Sequence, residues 1–239
     1  MGLDVNGTRF LLMASQSGAD FSQFAMIGRQ KMHLMPNDLK QLMDGFGHKY
    51  DMDAINKMLT EDNRFAEPFI KAIGGDEVVS FDASSYENAT YVHDMNLPIP
   101  DNYKEKYTSV LDGGSLEHIF NFPVAIKNCM EMLKVGGQYL GITPVNNFMG
   151  HGFYQFSPEL YYRVFSEQNG FKVQNMTIFE DKPGTSWLQL TDPEILKRRV
   201  ELVNSTPTYI LVQAIKLENK NIFEVTPQQS DYANEWSKA

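Results

Sequence analysis

The stretch Lys106 to Gly141, KYTSVLDGGSLEHIFNFPVAIKNCMEMLKVGGQYLG, constrains the fold more than any other part of the chain. It reads as a buried strand, a glycine-containing loop, a helix and a Gly-Gly turn into a further strand, which is half of an open α/β sheet. Tyr107, Val110 and Leu111 make the strand apolar, and it runs directly into Asp112, Gly113 and Gly114. Glycines there let the backbone pass close to a ligand, and Asp112 places a carboxylate at the strand's carboxyl end. Beyond the loop, Ala125, Cys129, Met132 and Leu133 recur at helical spacing, so one side of a helix packs on the sheet. Gly136-Gly137 is expected to end that helix.

The run SVLDGGSLEHIFNFPVAIKNCMEMLKVGG resembles conserved blocks of the class I S-adenosylmethionine-dependent methyltransferases, in which a strand, a Leu-Glu-His step and a Leu-Lys-x-Gly-Gly turn follow in this order. The resemblance implies an α/β, Rossmann-like fold: a seven-stranded, mostly parallel sheet with an antiparallel last strand and helices on both faces. It also implies S-adenosyl-L-methionine as cofactor and transfer of its methyl group to a small-molecule oxygen or nitrogen acceptor.

A length of 239 residues suits one domain that buries its core without disulfides. The net charge of -9 disfavours binding to a phosphate backbone, so no nucleic-acid partner is expected. The single cysteine, Cys129, falls on the inward side of its helix and reads as a small core residue in a reducing compartment. The amino terminus MGLDVNGTRF lacks the basic start and apolar run of a secretory signal, and no stretch approaches a membrane span. The expectation is a cytoplasmic protein without a membrane partner.

Asp4 reads as the cap of a first helix carrying Val5, Thr8, Leu11 and Leu12 on one side and ending near Gly18. The first sheet strand, Phe24 to Gly28, runs into the step Gly28-Arg29-Gln30, where the family carries two or three glycines. Gly28 could allow the tight turn under the cofactor while Arg29 pairs with a cofactor or substrate carboxylate; alternatively Arg29 is a buried pairing residue or fills the space of a lost cofactor. Helices are expected from Pro36, from Met52 to Leu59 with Asp51 or Asp53 near its start, and from Pro68 to Ile73. The strand Glu77 to Asp82 ends in an acid that can accept ribose hydroxyls, next to Ala83, or that merely caps the turn before Ser84-Ser85. The strand Ala89 to His93 leads to Asp94 and Met95, which the resemblance assigns to the adenine amine and ring. Asp82, Asp94 and Asp112, each after an apolar strand, are expected to line one sheet edge together with Gly113.

Glu117-His118 resembles part of a metal set found in some related enzymes, but Gly114 stands where an acid is wanted, and no metal is expected. His33 and His48 lack ligand spacing. The loop after strand Gln138 to Thr143 contains His151, a candidate proton acceptor with a near-neutral unperturbed pKa, and Tyr154 and Asn147, which could orient the acceptor. The alternative is that His151 is a turn residue and the aromatics close the core. Ser157-Pro158 starts a helix, Phe171 to Phe179 and Thr208 to Lys216 are strands, and residues 181–207 form an insertion with a helix after Asp192. Trp187 could cover the pocket or pack a partner subunit in a homodimer. A polar tail follows from 219. The glycine-poor turn at Gly28 leaves one alternative activity: a methyltransferase-like domain that binds a ligand or partner without catalysis.

Overall fold

Runs such as Phe24-Ala25-Met26-Ile27 are apolar at every position, which requires cover on both faces of a sheet. The computed structural model, which describes residues 2–236, supplies it. The chain opens with β1 (Gly2–Leu3), α1 (Val5–Gln16), β2 (Gln23–Ile27) and β3 (Lys31–Met32). Helices α2 (Pro36–Gly45), α3 (Met52–Thr60) and α4 (Glu67–Ala72) fill the crossover to β4 (Glu77–Asp82). Next come β5 (Tyr91–Val92), β6 (Tyr107–Asp112), α5 (Phe122–Met132) and β7 (Leu133–Asn146). Then α6 (Pro158–Val164) precedes β8 (Phe171–Glu180), and β9 (Leu188–Gln189), α7 (Pro193–Leu196), β10 (Thr208–Lys216) and α8 (Ser230–Trp236) follow.

The main sheet has the order β5-β4-β2-β6-β7-β10-β8-β9. From β5 to β7 all pairings are parallel, and β10 lies antiparallel between β7 and β8. The expected α/β architecture with an antiparallel last strand is present; the two-residue β9 adds an eighth strand at one edge, and β1 pairs with β3 as a separate parallel ribbon. Elements this short carry no periodic signal in the sequence. The helices divide between the faces. Phe10, Leu11, Leu39, Ile55 and Phe69 from α1 to α4 cover Phe24, Met26 and Leu111. On the other face Ile126, Cys129, Tyr161 and Phe165 cover Ala25, Ile27 and Val110.

Local chemistry sets most boundaries where the sequence placed them. Asp4 caps α1 by accepting the Gly7 N–H at 2.7 Å, Asp51 caps α3 through Ala54, and Ser157 caps α6 through Leu160. Others differ. α5 stops at Met132, before Gly136-Gly137, because Leu133 is already extended and joins β7. Gly137 instead permits a close strand approach, since a Cβ there would lie 2.9–3.1 Å from the carbonyl oxygens of Lys134, Thr108 and Tyr107. Val5 is exposed, and Phe10 takes the inward place assigned to it. Trp187 stacks on Phe179, lies under the Arg9 guanidinium and donates from Nε1 to Asn6, so it fastens the insertion to α1. The carboxyl-terminal segment is docked through Ser230, which donates to Glu159, and through the Arg199–Asp231 pair. Among the described residues no helix is long and apolar enough to cross a membrane.

The order β4-β2-β6 puts a topological switch at β2: the chain passes from β2 to β4 and β5 on one side and returns in β6 on the other. The turns leaving β2 and β6 therefore face each other. Asp112, the last residue of β6, is fully buried and accepts from the Ser115 N–H at 2.8 Å, the Leu116 N–H at 3.2 Å and the Tyr139 hydroxyl at 3.2 Å. Asp112→Ala leaves these donors partnerless, and should lower unfolding stability by about 2–4 kcal/mol in urea titration. Tyr139→Phe, which removes one donor and keeps the ring, should cost only about 1 kcal/mol.

Candidate functional site

The strand ends around β2 build a narrow polar slot. Gly28 turns with φ of +72°, a conformation costly for other residues, and its N–H donates to Phe81 O at 2.8 Å across the parallel pair. Ser115 donates to Ile27 O at 2.6 Å and so ties the loop after β6 to the end of β2. Between them lies the Gln30 side chain. Its amide Nε2 donates to Ile27 O and Gly28 O, while Oε1 is buried without a hydrogen-bond partner among the described residues. A Cβ on Gly113 would come within 2.6 Å of that amide, so the slot exists because Gly113 has no side chain and is filled by a flexible one. Sequence reasoning missed Gln30 and Ser115. The available signal was a glutamine directly after a strand-ending Gly-Arg step.

The other residues expected at the cofactor are placed as follows. Asp82 is half-buried at the tip of β4 and its Oδ1 accepts the Ser84 N–H at 3.1 Å; Ala83 beside it is exposed. Asp94 is exposed and accepts from the backbone and side-chain amides of Asn96, which hold its carboxyl below the usual range. Met95 is buried and its carbonyl faces Asn128 Nδ2. Arg29 follows the second of its readings, that of a pairing residue within the fold. Its guanidinium pairs with Asp62 and Glu67, donates to Glu87 O and lies 3.8 Å over the Phe65 ring. It holds the segment before α4 against the end of β2. Asp112 departs from the shared acidic rim. By strand alternation it points, with Val110, into the core face opposite that of Asp82, and it holds the Gly113-Gly114 turn from behind.

Beside the slot, residues 147–156 fold back over the turn Leu116–His118. The N–H groups of Phe153 and Tyr154 donate to Glu117 O at 2.7 and 3.3 Å, and Tyr154 Oη donates to Phe120 O at 2.7 Å. Tyr154 is thus a clamp on this loop, and Asn147 is another, bonded to Asn204 and Thr206 O. The clamp brings His151 onto Glu117 and His118: His151 Nε2 lies 3.7 Å from Glu117 Oε1, and the two imidazole centroids are 4.9 Å apart. Glu117, His118 and His151 each offer a donor atom within 4.8 Å of the others. Glu117 is buried and both its oxygens lack hydrogen-bond partners among the described residues. The sequence suggested Glu117-His118 and His151 separately. Their meeting depends on a loop contact across about thirty residues of chain that no local spacing encodes.

Burial pushes the Glu117 carboxyl up to about 8, with nearby Asp112 adding to the effect, and burial likewise pushes Asp112 up. Burial and the neighbouring His151 hold the His118 imidazole below its ordinary value. A buried acid and two imidazoles set edge to face can exchange protons with a bound molecule or share a cation. A cleft of ≈ 1050 Å³ lies elsewhere, between α6, α7 and α8; its Arg163 and Arg199 are spent on Asp192, Glu194 and Asp231.

No family model matches the chain, and no curated protein does. Among solved structures it is similar to a candidate S-adenosylmethionine-dependent methyltransferase from Listeria monocytogenes, at 14% identity and TM-score 0.47 over 89% of this chain and 99% of that one. It is similar to a SAM-dependent methyltransferase from Aquifex aeolicus at 10% identity and TM-score 0.40, over 86% and 89%. A branched-chain polyamine synthase from Thermus thermophilus, in complex with N4-aminopropylspermidine and 5'-methylthioadenosine, is similar at 11% identity and TM-score 0.42, over 95% of this chain and 61% of that one. Likenesses this distant carry no information on activity or on residue roles.

The buried acid has a consequence for stability. Its folded-state pKa is raised above the ordinary 4.5, so between that value and about 8 the folded protein keeps a proton that the unfolded chain has released. Stability is therefore lost as pH rises through this window. Glu117→Gln in metal-free buffer should melt at the parent's temperature at acid pH and progressively above it towards pH 8. A gap that does not grow with pH would contradict the assignment.

Proposed function

We propose that this protein transfers the methyl group of S-adenosylmethionine to a small-molecule oxygen or nitrogen acceptor. The observation that carries the reading is the glycine slot at the topological switch: Gly28 at positive φ faces Gly113, and the Gln30 side chain lies in the slot with its buried Oε1 lacking a partner among the described residues. A backbone-lined recess with an unsatisfied polar atom fits the polar methionine end of such a ligand once Gln30 swings aside. Asp82 Oδ1 and Oδ2 would then take ribose hydroxyls beside Ala83, Asp94 the adenine amine, and Met95 an edge of its ring. Arg29 and Asp112 act as positioning residues, one holding the wall of the slot through Asp62 and Glu67 and the other holding the turn at Gly113.

Bound there, the donor supplies an electrophilic methyl on a sulfonium sulfur. The chain must align the acceptor with it, exclude water and accept one proton. The loop carrying His151 stands beside the slot, clamped by Tyr154, and the Glu117–His118–His151 cluster stands where the acceptor gives up its proton. Holding Glu117 away from water keeps its charge responsive to what binds next to it.

Calorimetric titration with S-adenosylmethionine and S-adenosylhomocysteine tests this reading. Saturable binding of both is expected, weakened about 10- to 100-fold by Asp82→Ala through loss of a charge-assisted hydrogen bond. Gln30→Ala, which empties the slot, should bind at least as tightly as the parent. His151→Ala should lower kcat by about 10²-fold or more while donor affinity is unchanged. If neither ligand binds either the parent or Gln30→Ala, the proposal fails.

A further inference from the structure

We propose that Glu117, His118 and His151 form a binding site for a divalent transition cation of the zinc type. Two imidazoles and one carboxylate are a donor set suited to such ions, and three protein ligands leave coordination open to a further molecule. Glu117 and His118 are consecutive in the turn Leu116–His118, and His151 comes from the loop bonded to Glu117 O through Phe153 and Tyr154. The donors are therefore assembled by the fold itself, before any ion arrives. Gly152 is part of that assembly: a Cβ there would lie 2.7 Å from Glu117 O and 3.2 Å from His118 Nδ1, so the loop could not settle this close with a side chain in place.

Glu117 points into the cluster with a side chain only 1% exposed, and neither of its oxygens has a hydrogen-bond donor among the described residues. A carboxylate sealed from water in this way is costly unless something positive meets it. Arg29 is committed to Asp62 and Glu67, and His151 stands 3.7 Å from Glu117 Oε1. That separation is too long for a direct hydrogen bond between base and acid. It is close to the ~3.3 Å that separates two ligand atoms around a tetrahedral ion with metal–ligand bonds of about 2.0–2.1 Å. The spacing thus suits a shared cation better than a direct hydrogen bond between the two side chains. His118 is exposed and His151 partly so, which gives the ion a route in from solvent.

Metal binding here does not depend on the identity of the methyl donor. Its use in catalysis does rest on the methyl-transfer reading: a bound ion would hold an acceptor oxygen and make its proton easier to lose, with His151 serving as ligand. The test is made without donor or acceptor, so that the two ideas fail separately. Chelator-treated full-length protein is titrated with CoCl2 and then ZnCl2 at neutral pH. One equivalent of Co2+ should bind with visible d–d absorption that Zn2+ abolishes. Glu117→Gln and His151→Ala should each weaken binding by at least about tenfold with an unchanged circular dichroism spectrum. His93→Ala, whose imidazole lies against Leu97 O, should bind as the parent does. Absence of Co2+ absorption and of Zn2+ binding, or full affinity in either ligand variant, would overturn the site.

Discussion

The buried carboxylate of Asp112 is the constraint on which the site depends. It ends β6 inside the core, accepts the Ser115 and Leu116 N–H groups, and reaches the Tyr139 hydroxyl on β7. An acid in that place would be prohibitive without donors, so the loop after β6 has to curl back and supply them. The curl puts Gly113 opposite Gly28, sends the Ser115 hydroxyl to Ile27 O and turns Glu117 inward. One unfavourable burial therefore fixes the glycine slot and the Glu117–His118 pair together.

Much of this arrangement was legible in the sequence. The strands Glu77–Asp82 and Thr208–Lys216 have the expected bounds, and the helix caps at Asp4, Asp51 and Ser157 do what short polar side chains before apolar runs usually do. These features are local, and the information needed to place them lies within a few residues. The errors are of another kind. Gly136-Gly137 looked like a helix stop because a glycine pair reads alike whether it breaks a helix or lets strands approach. Asp112 looked like a rim acid because a strand-ending aspartate carries no mark of the face it leaves by. Only the pleat, counted from Val110 and Val79, decides that.

Arg29 and Gln30 show the same limit at the site. A guanidinium beside a strand-ending glycine suggests an anion, and here the anions are Asp62 and Glu67, more than thirty residues along the chain. The pair is partly buried and backed by the Phe65 ring, so Arg29 holds the segment before α4 more firmly than a surface bridge would. Gln30 then lies beneath a pinned neighbour, and its amide has few places to go but the slot over Gly113.

The two halves of the site differ in how completely they satisfy their own polar groups, and that difference is informative. Around Asp112 the acceptor sites are met from within the fold, as expected of a part whose task is to hold shape. Among the described residues, Gln30 Oε1 and both oxygens of Glu117 are buried and unmet, the first against Gly113 and the others in the turn that follows it. Natural folds seldom bury polar atoms without partners, and beside a candidate site such a deficit is one that a ligand can meet. The slot at Gln30 lacks a donor to its amide oxygen, while the cluster at Glu117 lacks positive charge. A molecule bound across the turn could meet the first need, and a cation beside it the second. The turn is short enough that filling one site would bear directly on the position of the other.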